Sequence, residues 1–236
     1  KRVLSLALAA ALALSLSVPA GAAGGSSFSD VSDRTTAVNA DVLRLMGVVD
    51  GVGGNRFNPG ANLTRAEFCT MVVKFLQKGD QVAMNATRTI FSDVTSRHWA
   101  LGYVNLASSL TVGGGSSSSG SSDGGGDSAP AAALISGVGN GRFDPDAKIT
   151  REQLAAVLYR YAGKVGMDVT ARADLKLFPD AGSVSAYATD ALSWCVANGI
   201  VNGTLEHGTA YLDPQGSATR AQVATLMSRY LKLTEA

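Results

Sequence analysis

The sequence is poor in several things at once. Its 236 residues include two cysteines, two histidines and six prolines, and aromatic residues make up 6%. Two cysteines cannot build the disulfide framework of a small secreted domain, and with two histidines they leave little for a transition-metal site. So few aromatics mean a core made mainly of Ala, Val and Leu. Charge of one sign is missing too: 20 basic side chains face 19 acidic ones, a formal net charge of +1. Such a chain lacks the basic field that nucleic-acid binding requires. His98 and His207 have no matching nucleophile and carboxylate, and no carboxylate pair stands out for glycoside hydrolysis. No catalytic residue, cofactor or metal is expected, and the chain does not read as an enzyme.

What is there begins with an amino-terminal leader pattern. Lys1-Arg2 precede a run from Val3 to Val18 that is almost wholly Leu, Ala, Val and Ser, and Pro19-Ala20-Gly21-Ala22 then offers a small-residue cleavage site. Residues 1–22 are expected to be a secretory signal peptide. As a membrane span the run falls short of the ~20 apolar residues needed, and Pro19 ends it at once. No later segment is long enough to span. The 46% hydrophobic and 17% charged composition of the whole suits a globular exported protein. Glycine is in surplus, with 27 residues.

Three segments repeat one pattern. The first reads Phe28-Ser29-Asp30-Val31, Gly47-Val48-Val49-Asp50-Gly51, Phe57-Asn58-Pro59 and Thr64-Arg65-Ala66-Glu67. The second reads Phe91-Ser92-Asp93-Val94, Leu134-Ile135-Ser136-Gly137, Phe143-Asp144-Pro145 and Thr150-Arg151-Glu152-Gln153. The third reads Phe178-Pro179-Asp180-Ala181, Gly199-Ile200-Val201-Asn202-Gly203, Leu212-Asp213-Pro214 and Thr219-Arg220-Ala221-Gln222. The repeats are expected over 23–80, 81–165 and 166–236. The second is lengthened by a Gly/Ser-rich insertion at about 111–132, a surface excursion whose ends must return to one place. Loop closure grows costlier only slowly with length, so the repeat tolerates it.

Each repeat reads as helix–loop–helix. After Thr64, Thr150 and Thr219 the apolar residues follow an i, i+3, i+4, i+7 spacing, one face of a helix. First helices are expected at about Ala37–Met46, Trp99–Ser109 and Tyr187–Asn198, with Gly47 and Gly199 as C′ glycines. One such unit buries too little surface alone. The expected fold is all-α: three helix–loop–helix repeats in a pseudo-threefold, spindle-like arrangement around a central three-helix bundle. Trp194 is expected in the core. Cys69 reads as a small packed residue, and a Cys69–Cys195 disulfide stays open.

Thr64/Glu67, Thr150/Gln153 and Thr219/Gln222 have capping-box spacing. That explains the Thr and the Glu or Gln, but not the Arg. Arg65, Arg151 and Arg220 each fall at the first helical position, where the helix dipole disfavours a cation. Free amides, a positive dipole end and a guanidinium together would hold a carboxylate or phosphate. Internal pairing with Asp30, Asp93 or Asp180 is the competing reading.

These motifs, with His98-Trp99-Ala100, resemble the S-layer homology family, and the resemblance runs from about Phe28 to Leu233. It implies non-covalent anchoring to the bacterial cell wall, through an acidic, pyruvylated secondary wall polysaccharide or a peptidoglycan-associated glycan. Carried over, the implied glycan-binding residues are Arg65, Arg151, Arg220, Asp30, Asp93, Asp180, Trp99, Tyr187 and the turn glycines Gly51, Gly137 and Gly203. Thr36 stands where the second repeat has Trp99, so one aromatic platform is missing. Gln153 and Gln222 keep the cap but lose the carboxylate. The third repeat has Pro179 and Ala181, and a longer loop with Glu206 and His207. The alternative is a self-assembling surface-layer or protein-interaction module without strong glycan binding.

Overall fold

The computed structural model describes residues 26–76, 82, 86–110 and 133–235. The leader over 1–22 and the Gly/Ser-rich insertion over 111–132 lie outside the described residues. The fold is mainly helical, as expected. Its α-helices are α1 (Arg34–Leu45), α2 (Arg65–Phe75), α3 (Leu101–Ser109), α4 (Arg151–Lys164), α5 (Thr189–Ala197) and α6 (Arg220–Glu235). No helix among the described residues is long and apolar enough to cross a membrane.

Local chemistry sets the helix ends. Thr64 and Thr150 close reciprocal capping boxes with Glu67 and Gln153. At α6 the Gln222 amide donates to Thr219 Oγ1 and the Thr219 amide to Gln222 Oε1. Gly47 and Gly199 take positive φ, 69° and 66°. The next amides, of Val48 and Ile200, donate back to Leu43 and Cys195 at 2.8 Å, the C-terminal closure that a left-handed glycine permits. The first helices start elsewhere than the spacing suggests. Helix α1 begins at Arg34, because the Asp33 carboxylate accepts from the Thr36 amide. Trp99 and Tyr187 precede α3 and α5 instead of opening them, Tyr187 within a single 3-10 turn. A hairpin, β1 (Thr204–Glu206) and β2 (Thr209–Tyr211), replaces the expected loop. Its two-residue turn has His207 and Gly208 at φ 49° and 85°, the geometry that matches strand twist.

The repeats interlock in a cycle. Helix α3 packs on α2, α5 on α4, and α1 closes back onto α6. Each first helix therefore covers the second helix of the repeat before it. At one end of the second helices three backbone hydrogen bonds form a ring: Leu63 N–H to Ala218 O, Ala218 N–H to Ile149 O and Ile149 N–H to Leu63 O, at 3.0–3.1 Å. At the other end Tyr230 packs against Phe75 and Tyr161, each with ring centroids 6.0 Å apart. These three rings occupy equivalent repeat positions. The core is one cluster running through all three repeats, and Trp194 is fully buried within it, its Nε1–H donated to Asp168 O. Apolar surface that no single repeat could bury is removed from water by its neighbours.

Leu134 donates its amide to Leu110 O at 2.9 Å. The chain thus leaves and re-enters the second repeat at one point, as an excursion requires. The two cysteines are free and separately buried, Cys69 against Tyr103 O and Cys195 against Ala155 O. Burial pushes the Cys69 thiol up to about 12. Neither the open disulfide nor a reactive thiolate is realised.

Candidate functional site

The three arginines do start α2, α4 and α6, but the amides beside them are not free. The N1 amides of Arg65, Arg151 and Arg220 donate to Ala147 O, Gly216 O and Ala61 O. The N2 amides of Ala66, Glu152 and Ala221 donate to Pro145 O, Pro214 O and Pro59 O. With the Thr hydroxyl on the N3 amide, each helix start is filled by the neighbouring repeat's Asn-Pro or Asp-Pro turn. The expected anion cradle of helix amides is therefore corrected. What is available to a ligand is the guanidinium alone.

Each guanidinium is anchored across a repeat boundary. Nε of Arg65, Arg151 and Arg220 donates to Phe143 O, Leu212 O and Phe57 O, at 2.7–2.8 Å. Arg65 and Arg220 also lie over the Phe143 and Phe57 rings, 4.8 Å from the centroids. Leu212 removes that ring from beneath Arg151. Arg65 and Arg151 are 5% and 6% exposed. Burial lowers all three guanidinium pKa values. Among the described residues none of the three forms an ion pair with a carboxylate.

Asp30, Asp93 and Asp180 do not pair with them. Each carboxylate accepts two amides of the turn that its own repeat lends to an arginine: Phe57 and Asn58, Phe143 and Asp144, Leu212 and Asp213. The second turn residue has φ 58°, 58° and 47°, a left-handed conformation that Asn and Asp tolerate. The aspartate thus fixes the turn, and the turn's carbonyl fixes the arginine. Glycine is needed at 51, 137 and 203 for a related reason. A Cβ there would lie 2.5–2.9 Å from a backbone oxygen and 2.6–3.0 Å from the ring of Phe28, Phe91 or Phe178.

Two grooves open at these boundaries, and each takes residues from three repeats. The Arg65 groove has a volume of about 380 Å³ and is lined by Arg65, Ser136, Gly137, Gln153, Arg160 and Tyr187, with an apolar floor including Ile135 and Val157. The Arg151 groove, about 280 Å³, has Arg151, Asn202, Gly203, Gln222, Arg229 and Thr36 in the corresponding places. Arg160 and Arg229 were not singled out by motif. They follow the helix-start arginine of their own repeat by nine residues, as Lys74 does in the first, so comparing whole repeats reveals them. Arg65 Nη2 donates to Ser136 O at 2.9 Å, and Gln153 Oε1 lies 3.5 Å from Nη1. Tyr187 is 54% exposed, and its hydroxyl donates to Glu152 at 2.8 Å. Glu152 is buried and also accepts from the Ser185 amide and hydroxyl. The first and third repeats have Ala66 and Ala221 at this position. Trp99 is 58% exposed and stacks on His98.

By the same correspondence Arg220 shares its boundary with Asp50, Gly51, Glu67 and Lys74. There Lys74 Nζ is 2.7 Å from Asp50. Glu67 is the leading negative charge acting on Arg220, as Asp144 is on Arg65 and Asp213 on Arg151.

Helical units locked in a cycle, with deep guanidinium groups facing the grooves between them, define a repeat module of cationic interrepeat grooves. The comparison with family models finds tandem S-layer homology repeats: the S-layer homology domain matches residues 46–69, 131–155 and 177–224. It is 31% identical over 151 residues to a cell surface protein of Thermoanaerobacter kivui, covering 63% of this chain and 17% of that protein. It is 28% identical over 202 residues to an amylopullulanase of Thermoanaerobacterium thermosulfurigenes, covering 85% and 9%. A cellulosome-anchoring protein of Acetivibrio thermocellus is 25% identical over 185 residues, 77% and 35% covered. The chain therefore spans a small part of these longer relatives.

Proposed function

We propose that the chain is a non-enzymatic module of the cell surface, anchored non-covalently to the bacterial wall by binding an acidic, pyruvylated wall polysaccharide. The observation that carries this reading is the pair of buried guanidinium groups, Arg65 and Arg151, that have no carboxylate partner and line grooves of sugar size. A buried cation is costly unless something pairs with it. The carboxylate of a pyruvate ketal fits that need, through a charge-assisted hydrogen bond to the guanidinium. Tyr187 and Trp99 offer exposed ring faces on which a pyranose can lie. The aspartates act behind the site, by holding the turns that aim the arginines, while the turn glycines Gly137 and Gly203 line the grooves themselves. The cyclic packing supports the pseudo-threefold spindle, and a rigid cycle keeps the grooves preorganised. The names of the relatives include surface and anchoring proteins alongside enzymes, which suits a shared anchor rather than a shared catalytic unit.

Co-sedimentation with isolated walls tests this. Arg65, Arg151 and Arg220 changed together to Gln should abolish pelleting while circular dichroism shows a folded chain. Undiminished pelleting of that folded variant would sink the mechanism.

A further inference from the structure

The three repeat boundaries are built alike but charged differently. Four positions decide the charge of each groove: the helix-start arginine, the basic residue nine positions after its counterpart in the next repeat, the residue before the turn glycine, and the Glu or Gln that closes the capping box. In the Arg65 groove these are Arg65, Arg160, Ser136 and Gln153. In the Arg151 groove they are Arg151, Arg229, Asn202 and Gln222. Both sets hold two guanidinium groups and two neutral side chains. At the Arg220 boundary they are Arg220, Lys74, Asp50 and Glu67. That set holds two cations and two carboxylates, and Lys74 is already paired with Asp50.

Of the remaining acids near the first two grooves, Asp213 is exposed on its turn and outside the lining of the Arg151 groove, and the others are committed elsewhere. Asp93 and Asp144 lie within 3.4 and 4.0 Å of Arg142. Asp180 is held by the amides of Leu212 and Asp213. Glu152 stands behind Tyr187 and is taken up by that hydroxyl and by Ser185. Neither set of guanidinium groups meets a carboxylate inside its own groove.

We infer that the acidic glycan is bound in two grooves, those of Arg65 with Arg160 and of Arg151 with Arg229, and that the Arg220 boundary is neutralised by the chain's own Glu67 and Asp50. This rests on the proposed glycan anchoring and adds how many sites work and why. An acidic sugar entering the Arg220 boundary meets a lysine already paired with Asp50 and two carboxylates that repel its own. The arrangement also says how the third site could be opened. Gln caps α4 and α6 where Glu caps α2, and Asn stands in the third repeat where Asp50 stands in the first. The variant Glu67→Gln/Asp50→Asn thus uses side chains that the same fold already accepts at the same places.

Calorimetry with the pyruvylated repeat-unit oligosaccharide released from purified wall polysaccharide gives the test. The unaltered chain should bind two equivalents. Arg65→Gln and Arg151→Gln should each leave one, and the pair together should weaken binding at least 100-fold. Arg220→Gln should keep two equivalents with less than a threefold change in affinity. Glu67→Gln/Asp50→Asn should bind three, and adding Arg220→Gln to it should return the count to two. This gain-of-site arm does not depend on whether any arginine variant folds. Three equivalents in the unaltered chain, or a site lost in Arg220→Gln, overturns the assignment and leaves glycan anchoring standing. An unaltered chain that binds none of this oligosaccharide overturns both.

Discussion

The Arg65 groove and the Arg220 boundary share one backbone design and differ in what their side chains leave for a ligand. Both have a capped helix start, an arginine tied to a neighbouring turn carbonyl, and a glycine under a phenylalanine ring. Glu67 and Gln153 perform the same capping task, since each offers one oxygen to the Thr amide. In the groove they are opposites, a carboxylate against a neutral amide. Capping depends on an acceptor, while anion binding depends on net charge. A repeat can therefore change its binding character at a position where its fold is indifferent.

The second difference is Glu152, which has alanine equivalents in the other repeats. It ties the start of α4 to Ser185 and Tyr187 of the third repeat. Removing it is expected to have the largest effect on this comparison. Glu152→Ala deletes three hydrogen bonds to a buried carboxylate. Hydrogen bonds to charged groups contribute about 1.5–3 kcal/mol each, less where solvent can substitute, so a loss of roughly 2–4 kcal/mol is expected. Thermal melting should fall by roughly 5–12 °C for a domain of this size. Glycan affinity should drop in the Arg65 groove alone, because the backbone carrying Tyr187 loses its two Ser185 anchors as well as the hydroxyl bond. An equal loss in the Arg151 groove would show that Glu152 supports the whole cycle rather than one boundary.

Acid sharpens the same contrast. Burial pushes the Glu152 carboxyl up, but the Ser185 and Tyr187 hydrogen bonds outweigh it and hold the group below its ordinary value of 4.5. A carboxyl depressed on folding contributes stability that is complete above its unfolded pKa and is lost as pH falls through the lower folded one. Melting temperature should hold steady above about pH 5 and decline below about 4.5. Glu152→Gln should flatten part of that decline. A slope remains, because turn amides oppose burial in the same way at Asp30 and Asp93 and hold them below their ordinary 3.8. An unchanged slope in Glu152→Gln would remove Glu152 from the acid response.

Much of this was legible in the residues. The Thr caps, the C′ glycines and the apolar spacing of the second helices report local rules, and local rules survive folding. The arginines were found because a cation at a helix start is locally out of place. Their setting was not legible. That the neighbouring Pro turn fills the N1 and N2 amides is a consequence of cyclic packing, and no spacing within one repeat encodes it. The aspartates are implied as ligand contacts by the resemblance; their hold on the turn was not legible, because Phe-x-Asp is far from it in sequence while in space Asp93 grips the amides of Phe143 and Asp144. The hairpin of the third repeat was hidden in its longer loop. It goes with Pro179, which has no amide to match the Ser29 and Ser92 amides that bind Asn55 O and Gly141 O in the other repeats.

The smallest expected effect separates the ring of Tyr187 from its hydroxyl. Tyr187→Thr gives the Arg65 groove the side chain that Thr36 supplies to the Arg151 groove. Loss of an aromatic platform is a loss of about 1 kcal/mol, or roughly fivefold in affinity. Tyr187→Phe keeps the ring and deletes only the bond to Glu152, so its affinity should stay within about twofold. The converse change, Thr36→Tyr, should strengthen the Arg151 groove by less than Tyr187→Thr weakens its counterpart. A tyrosine placed there faces Ala221, the equivalent of Glu152, and nothing at that position accepts its hydroxyl. Calorimetric titration of the three variants ranks them directly. If Tyr187→Phe proved as weak as Tyr187→Thr, the tether and not the ring would be the working part, and the Arg65 groove would owe its advantage to Glu152.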